Sequence, residues 1–303
     1  MTLISFLLMH LAPGDPAAVL MDPQISAEDM AQIRMNLGLD RPLLVQYWIW
    51  LNHAIRGDFG TSFVTGEPVL SLIMGRLPAT LLLSVSTLFW ILLLTFPLGI
   101  LSGAKKGSVF DQAVTIFTFL GLSIPTFWLG LLLILVLSIW LGWFPTSGFL
   151  DPHLSSASFL HQAINIGWHM VMPMITIVVG GLAGLTRYNR SGVLMILNQD
   201  YITAARARGI SSFRILFKHV FKNAALPVVT ILGLALPSLI GGSFVIEFIF
   251  AWPGMGQLGI ASVFSRDYPV LMGTLVFSGV LIILGTLLSD LLYSVVDPRI
   301  SRP

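Results

Sequence analysis

The sequence predicts an all-α integral membrane protein of about six transmembrane helices, and three observations carry that reading. Of 303 residues, 55% are hydrophobic and 10% are charged, whereas an average soluble domain carries about 25% charged residues. Several apolar windows reach the ~20 residues that a helix needs to cross the hydrocarbon layer. Between them lie short segments in which Lys and Arg collect, as the topology of a multi-pass protein requires. The chain has no Cys, which excludes disulfides, thiolate metal sites and a Cys nucleophile and fits any compartment. A net charge of +2 gives no ground for a nucleic-acid partner.

The first apolar run, residues 2–12, stops at Pro13-Gly14-Asp15-Pro16, a cluster no helix continues through. At 1.5 Å per residue it reaches roughly 16 Å, about half the hydrocarbon thickness, so it reads as the second half of a truncated first span, with a reading frame expected to start upstream. Ser26-Ala27-Glu28-Asp29 has the form of a capping box, and Gly38 is placed to close the helix it would begin. A second helix is expected over 42–56, carrying Tyr47, Trp48 and Trp50. Those rings suit either the headgroup layer or packing on neighbouring spans. The remaining spans are expected at 77–103, 113–140, 168–185, 226–249 and 270–292. Pro125 and Pro237 interrupt two of them, which is tolerated where the freed carbonyls line a cavity or pack on protein.

Basic residues orient these spans. The connection 104–112 holds Lys105 and Lys106, the connection 186–225 holds seven basic residues, and the tail holds Arg299 and Arg302. Those segments belong on the cytoplasmic side. Residues 141–167 hold no Lys or Arg and 250–269 hold only Arg266, while the long segment 13–76 has four Arg against seven acids. With a completed first span both termini lie inside. The expected organisation is therefore a partial first helix and external segment over 1–76, a transmembrane core over 77–293 and a cytoplasmic tail over 294–303.

The connection after Arg187 changes character. Asp200 is placed as an N-cap, Tyr201 to Arg208 form a short helical stretch rich in Ala, and Gly209 is placed as its C′ residue. Small side chains at Ala204 and Ala205 would let a partner backbone approach closely. In the helix expected from Ser212, the residues Phe213, Leu216, Phe217, Val220, Phe221 and Ala224 recur at three-and-four spacing, with Arg214, Lys218 and Lys222 on another face. This is the pattern of a helix lying at a membrane surface.

An Ala-Ala pair followed after three residues by Gly, ahead of the penultimate span, resembles the Glu-Ala-Ala…Gly motif of importer permeases in the ATP-binding-cassette (ABC) superfamily. Here it reads Thr203-Ala204-Ala205-Arg206-Ala207-Arg208-Gly209, with Leu226-Pro227 as the closing pair. Thr203 replaces Glu, and the gap from Gly209 to Pro227 is longer than in the general motif. Both departures resemble the dipeptide, oligopeptide and nickel permease branch. So do His10-Leu11-Ala12-Pro13-Gly14-Asp15-Pro16, Gly57-Asp58-Phe59-Gly60-Thr61-Ser62, Gly142-Trp143-Phe144-Pro145, Asp200-Tyr201-Ile202, Trp252-Pro253-Gly254 and Asp297-Pro298-Arg299, in that order along the chain.

The resemblance implies the type I ABC importer permease fold and a multi-pass subunit of the bacterial cytoplasmic (inner) membrane, in contact with membrane lipid. It implies peptide import by alternating access, with nickel or another small solute as the alternative within the branch. It also implies partners: a sister permease, two ATPase subunits that hold ATP and Mg²⁺, and an external substrate-binding protein. In the family the short cytoplasmic helix couples to a groove in an ATPase subunit, so Asp200, Tyr201, Thr203, Ala204, Ala205, Arg206, Arg208 and Gly209, within the segment 200–212, are the expected coupling residues. Arg206 and Arg208 either pair with acids on that partner or simply anchor a positive-inside loop.

Other signals weigh less. Gly254-Met255-Gly256-Gln257-Leu258-Gly259 spells a dinucleotide fingerprint, but that fingerprint works only between a strand and a helix, and here it reads as a tight external loop. No Gly-Lys dipeptide exists to build a P-loop, so the chain is not expected to be an enzyme. No His-Glu-x-x-His or Gly-x-Ser-x-Gly pattern supports a membrane hydrolase, and an ATP-independent transporter would not need the coupling segment. His153, His161 and His169 are eight residues apart, about 80° and ~12 Å along a helix, so they cannot share a metal on one regular helix. Asn189-Arg190-Ser191 spells a glycosylation acceptor on the wrong side of the membrane. Intramembrane acids are costly and mark function by default, which makes Glu247, with Ser243, and Asp290 the candidates for the pathway or its gates. The plainer reading of Glu247 is a solvated or paired carboxylate near the external boundary.

Overall fold

The computed structural model describes residues 2–11, 40–221, 223–224 and 244–296, with 8–11, 288–290 and 292–296 described by backbone alone. Regular structure among them is helical: α1 Thr2–Leu11, α2 Leu43–Ile55, α3 Val69–Ala104, α4 Val109–Ser123, α5 Thr126–Leu133 continuing as a π-helical turn Ile134–Trp140, and α6 Phe159–Leu197. There follow α7 Asp200–Ala207, α8 Ser212–Arg214 continuing as a π-helical turn Ile215–Val220, α9 Phe244–Ile249, α10 Met255–Phe264 and α11 Tyr268–Val296. Helices α3, α6 and α11 are long and apolar enough to cross a membrane, and the bent pair from Val109 to Trp140 supplies a fourth crossing if it is one span. The expected capping box at Ser26, Gly38, Pro237, Ser243 and most of the expected span 226–249 lie outside the described residues. The chain forms two compact units, Met1–Thr80 with Pro253–Val280, and Leu81–Trp252 with Leu281–Pro303.

In the first unit, α2 starts after Pro42 and stops at Arg56, as the sequence predicts. Its aromatic residues divide between the two roles open to them. Tyr47 packs edge-on against Phe6, with ring centroids 5.5 Å apart, and its hydroxyl bonds that of Thr2 at 3.0 Å. Trp48 stays 66% exposed. The motif from Gly57 to Ser62 then folds into a polar knot. Gly60, at φ +79°, donates its N–H to Asp58 Oδ1 at 2.9 Å. The Ser62 hydroxyl donates to Asp267 and accepts from the N–H groups of Val64 and Thr65 at 3.2 and 2.9 Å. The Phe63 N–H completes the contact to Asp267 Oδ1 at 3.1 Å. Ser62 and Asp267 are both buried, so each needs the other to satisfy its hydrogen-bonding groups.

Phe59, Val69, Ile73, Met255 and Val270 form the apolar core beside this knot. A methyl group on Gly273 would come within 2.5 Å of Val69, so that glycine lets α11 approach α3. The Gly254–Gly259 segment is not the tight loop expected. Gly254 is the N-cap of α10, the Met255 N–H reaches Thr80 Oγ1 at 2.8 Å, and Gly256 and Gly259 are buried within the helix.

In the second unit, the expected span 113–140 is not one straight helix. The two halves meet at 103°. Proline disfavours helical geometry in the residue before it, and Ile124 is accordingly extended at ψ 122°, while Pro125 is the N-cap of α5. Helix α6 has 39 residues with Pro173 inside it, roughly 58 Å at 1.5 Å per residue, and so runs well beyond the expected span. Glycines set the helix approaches, as small residues do where lipid offers no competing hydrophobic drive. A methyl on Gly181 would meet Ile91 at 2.6 Å, on Gly99 Asn189 at 2.8 Å, and on Gly103 Val193 at 2.6 Å.

The Ser62 knot makes a stability prediction. Ser62→Ala removes one donor from buried Asp267 and the acceptor of two backbone N–H groups, a loss of about 1–3 kcal/mol. Purified protein carrying it should unfold several degrees earlier in a thermal scan, while truncation of exposed Val64 to Ala should leave the midpoint within about a degree.

Candidate coupling surface

Helix α7 is short, and its two faces differ. Ile202 and Ala205, three residues apart and hence on one face, are buried at 0% and 4% exposure. They belong to a core with Ile100 of α3, Val193 and Ile196 of α6, and Ile215, Val220 and Ala224. Asp200, Tyr201, Thr203, Ala204, Arg206, Arg208 and Gly209 are exposed. The expected pair of small residues is thus divided: Ala204 lies on the free surface, and Ala205 packs inward. What sequence alone treats as two docking alanines is one exposed and one seating position.

Both ends of α7 are defined by backbone hydrogen bonds. Gln199, not Asp200, is the N-cap, and Asp200 takes the first helical turn, where a carboxylate complements the positive end of the helix dipole. At the other end Gly209 has φ +77°, its N–H bonds Arg206 O at 2.9 Å, and the Ile210 N–H bonds Ala205 O at 3.2 Å. That is a Schellman motif, with Ile210 packed on the same core as Ala205. A methyl group on Gly209 would meet nothing within 4 Å. The glycine is therefore required by its left-handed backbone, which costs another residue about 1–2 kcal/mol.

The expected apolar face of the next helix holds in part, with Val220 and Ala224 buried and Leu216 packed on the same core. Phe213 and Phe217 are exposed and stack at 4.4 Å, while the inward seam is Ile215, Val220 and Ala224. Ile215 and Val220 are five residues apart, and the i to i+5 bonding of the π-turn brings them onto one side. Asn223 Nδ2 bonds the Tyr201 hydroxyl at 3.4 Å and so ties this helix back to α7.

Beneath α7 lies a polar joint that sequence reasoning missed. Arg190 of α6 donates from Nε and Nη2 to the two carboxylate oxygens of Asp111 at 2.6 and 2.8 Å. The Ser102 hydroxyl of α3 donates to Asp111 Oδ1 at 2.5 Å, and the Gly107 N–H to Oδ2 at 2.9 Å. Asp111 is buried, its side chain 5% exposed, and that of Arg190 is 25% exposed. One carboxylate thereby joins the end of α3, the loop to α4, and α6 one turn before Val193, on which α7 rests. Its signal in the sequence was an acid in a connection otherwise basic, together with an Arg that follows an apolar run.

The comparisons with known proteins decide the family. Residues 95–302 match the model of the family described as "Binding-protein-dependent transport system inner membrane component", and residues 1–84 match its N-terminal companion, "Binding-prot-dependent transport system membrane comp, N-term". The chain belongs to this family. It is 49% identical, over 99% of its length and 93% of the relative's, to the oligopeptide transport system permease protein AppB of Bacillus subtilis. It is 38% identical, over 98% of this chain and 93% of the other, to a putative peptide transport system permease protein of Brucella suis. Among solved structures, the chain resembles one of the MetNI methionine ABC transporter in an inward-facing conformation, with a TM-score of 0.58 at 21% identity over 75% of this chain and 97% of the other. The fold is that of a type I ABC importer permease, and the protein is a multi-pass membrane permease.

Of the pathway candidates, Glu247 has its side chain described. Glu247 of α9 is fully buried, beside a core of Met172, Ile246 and Phe250, so of the plainer alternatives, solvated or paired, the solvated one does not hold for it. Trp252 is buried under Phe149, with ring centroids 4.8 Å apart, and its backbone N–H donates to the Glu247 backbone O at 2.8 Å. Asp290 lies in α11 with only its backbone described, and Ser243 falls outside the described residues. His161 Nδ1 is 2.8 Å from Ser158 Oγ, and His169 Nδ1 is 2.9 Å from Asn165 O, local partners for two of the three histidines.

The polar joint makes a prediction of its own. Removing one member of a buried ion pair costs about 3–5 kcal/mol because the other charge is stranded. Arg190→Gln or Asp111→Leu should therefore lower the yield of folded permease sharply, whereas Ser102→Ala should cost only about 1 kcal/mol. The double variant Arg190→Leu with Asp111→Leu should recover much of the loss in a thermal scan, since it leaves no unpaired charge.

Proposed function

We propose that this chain is a permease subunit of an ATP-driven importer that translocates di- or oligopeptides across the bacterial cytoplasmic membrane by alternating access. The subunit supplies the membrane path, and a separate ATPase supplies the energy. The observation that carries the reading is the build of α7 in a chain of this family: a short helix, stopped by Gly209, with one face seated on α3 and α6 and the other free. A partner pressing on the free face moves the helix as a rigid piece, and the seated face passes that displacement to Val193 and Ile196. The relatives named above favour peptide as the solute.

The complex proposed is this chain, a sister permease of similar fold, two ATPase subunits holding ATP and Mg²⁺, and an external binding protein that delivers the peptide. Polar solute has to be shielded from lipid, because unsatisfied polar groups in hydrocarbon cost several kcal/mol apiece. Two permease subunits facing one another meet that requirement at their interface. Asp200, Tyr201, Thr203, Ala204, Arg206 and Arg208 form the face offered to the ATPase, with Ala205 and Gly209 holding it in place. The orientation follows the basic residues, with both termini and α7 in the cytoplasm.

The exposed and buried alanines separate coupling from stability. Ala204→Arg should leave the complex assembled and abolish peptide uptake in proteoliposomes, with ATP hydrolysis no longer stimulated by the loaded binding protein. Ala205→Arg should instead lose folded permease, because the added charge has no place in the core. Normal uptake by the Ala204 variant would remove the coupling assignment.

A further inference from the structure

Between α4 and α6 the second unit contains a cavity of about 270 Å³ that the transport reading does not use. Its polar lining comes from Thr115 and Thr118 of α4 and from Thr186, Arg187, Arg190 and Ser191 of α6. Three features of that lining point to an anion. Arg190 spends Nε and Nη2 on Asp111, so the Asp111 carboxylate balances one of the two guanidinium charges. Arg187 has no carboxylate partner among the described residues, and its guanidinium carbon sits 5.1 Å from the centroid of the Phe119 ring, which holds it at the cavity wall by cation–π attraction. The Thr186 hydroxyl is fully buried and has no hydrogen-bond partner among the described residues, although buried hydroxyls almost always have one. The cavity thus offers one net positive charge and a free hydroxyl.

The surroundings say what kind of anion. Ile116, Phe119 and Leu120 of α4 are exposed at 53–60%, so the helix wall that continues from the cavity is apolar and suits an acyl chain more than water. Arg187 and Arg190 lie ten and seven residues before the end of α6 at Leu197, roughly 15 and 10 Å along it. Thr115 and Thr118 lie within the first three turns of α4. In the orientation proposed above, this end of the helices, where Lys105 and Lys106 connect α3 to α4, faces the headgroups of the inner leaflet. Basic pockets between transmembrane helices at the cytoplasmic side are suited to anionic headgroups.

We propose that this cavity binds the phosphate of an anionic phospholipid of the inner leaflet, with Arg187 as its charge partner, Thr186 as a hydroxyl donor and the acyl chain lying along Ile116 and Leu120. The leaflet rests on the orientation proposed above, whereas binding itself does not depend on transport. A bound lipid there would tie α4 to α6 beside the Asp111 joint, on the segment of α6 that leads to Val193 and α7.

The test uses the full transporter complex, exchanged into nanodiscs of phosphatidylcholine with or without phosphatidylglycerol and released into native mass spectrometry. The wild type should retain phosphatidylglycerol. Arg187→Gln should weaken that retention about fivefold, the scale of one basic residue near an anionic surface, and Arg187→Lys should restore much of it. Thr186→Val should weaken it without any change of charge, and it decides the matter if the Arg187 variant does not assemble. Lys106→Gln removes the same charge from the exposed loop and should have little effect. Equal losses from Lys106→Gln and Arg187→Gln would mean general attraction to the membrane surface and overturn the site, as would undiminished retention by both Arg187→Gln and Thr186→Val. Inorganic phosphate at millimolar concentration in phosphatidylcholine discs separates the two sources of phosphate: thermal protection matching that from phosphatidylglycerol would assign the cavity to a free anion and overturn the lipid.

Discussion

A carboxylate taken out of water among apolar helices has to be paired, and the pairing of Asp111 with Arg190 is the constraint on which the seat of α7 in the second unit depends. Both carboxylate oxygens are engaged by the guanidinium, and Ser102 and the Gly107 N–H fill further acceptor positions. Coulomb attraction at this depth is strong, and so is the penalty for desolvation. The pair is therefore a geometric device more than a source of net stability. It holds the last turn of α3 and the first turn of α4 against α6 in one relative position. Close approach at Gly99 and Gly103, where a methyl group would overlap α6, depends on the same register.

In the coupling proposed here, that fixed platform is what gives α7 its mechanical value. Eight residues are too few to be a stable helix in isolation, so α7 holds its form through its seat and its caps. Ile202 and Ala205 insert into the core that Ile100, Val193 and Ile196 provide. The Schellman closure at Gly209 turns the chain back at once toward Ile215. A rigid piece of this kind transmits displacement without first absorbing it, which is the property needed where one subunit's conformational change drives another's. On the exposed face the intramolecular side-chain bonds are long ones, from Asn223 to the Tyr201 hydroxyl and from Arg208 Nε to Ala204 O, both at 3.4 Å.

Much of this was legible in the sequence, and what was not had physical reasons. The long apolar helices, the helix over 42–56, the short helix near 200–208 and its glycine stop all rest on local signals, namely length, capping chemistry and φ preference. The break at Pro125 was also legible, but not its angle, which depends on what packs against each half. The division between Ala204 and Ala205 was missed because the two residues are chemically alike. The clue was Ile202, which shares a face with Ala205. The amphipathic reading of 213–224 assumed 3.6 residues per turn; it placed Val220 and Ala224 correctly, but the π-turn brought Ile215 into the buried seam and left Phe213 and Phe217 exposed. The Asp111 joint links residues 79 positions apart, and no local pattern announces such a contact. Glu247 was located by counting along a helix, which gives depth but not burial.

The central claim is that the outward face of α7 meets the ATPase while the inward face is part of the permease core. Because the chain has no Cys, a cysteine introduced into it is its single thiol. In the assembled transporter, Thr203→Cys should form a crosslink to the ATPase subunit with a short bifunctional reagent, with a yield that changes when nucleotide is added, and Ile202→Cys one position away should form none. Equal crosslinking from both positions, or none from Thr203, would contradict the account.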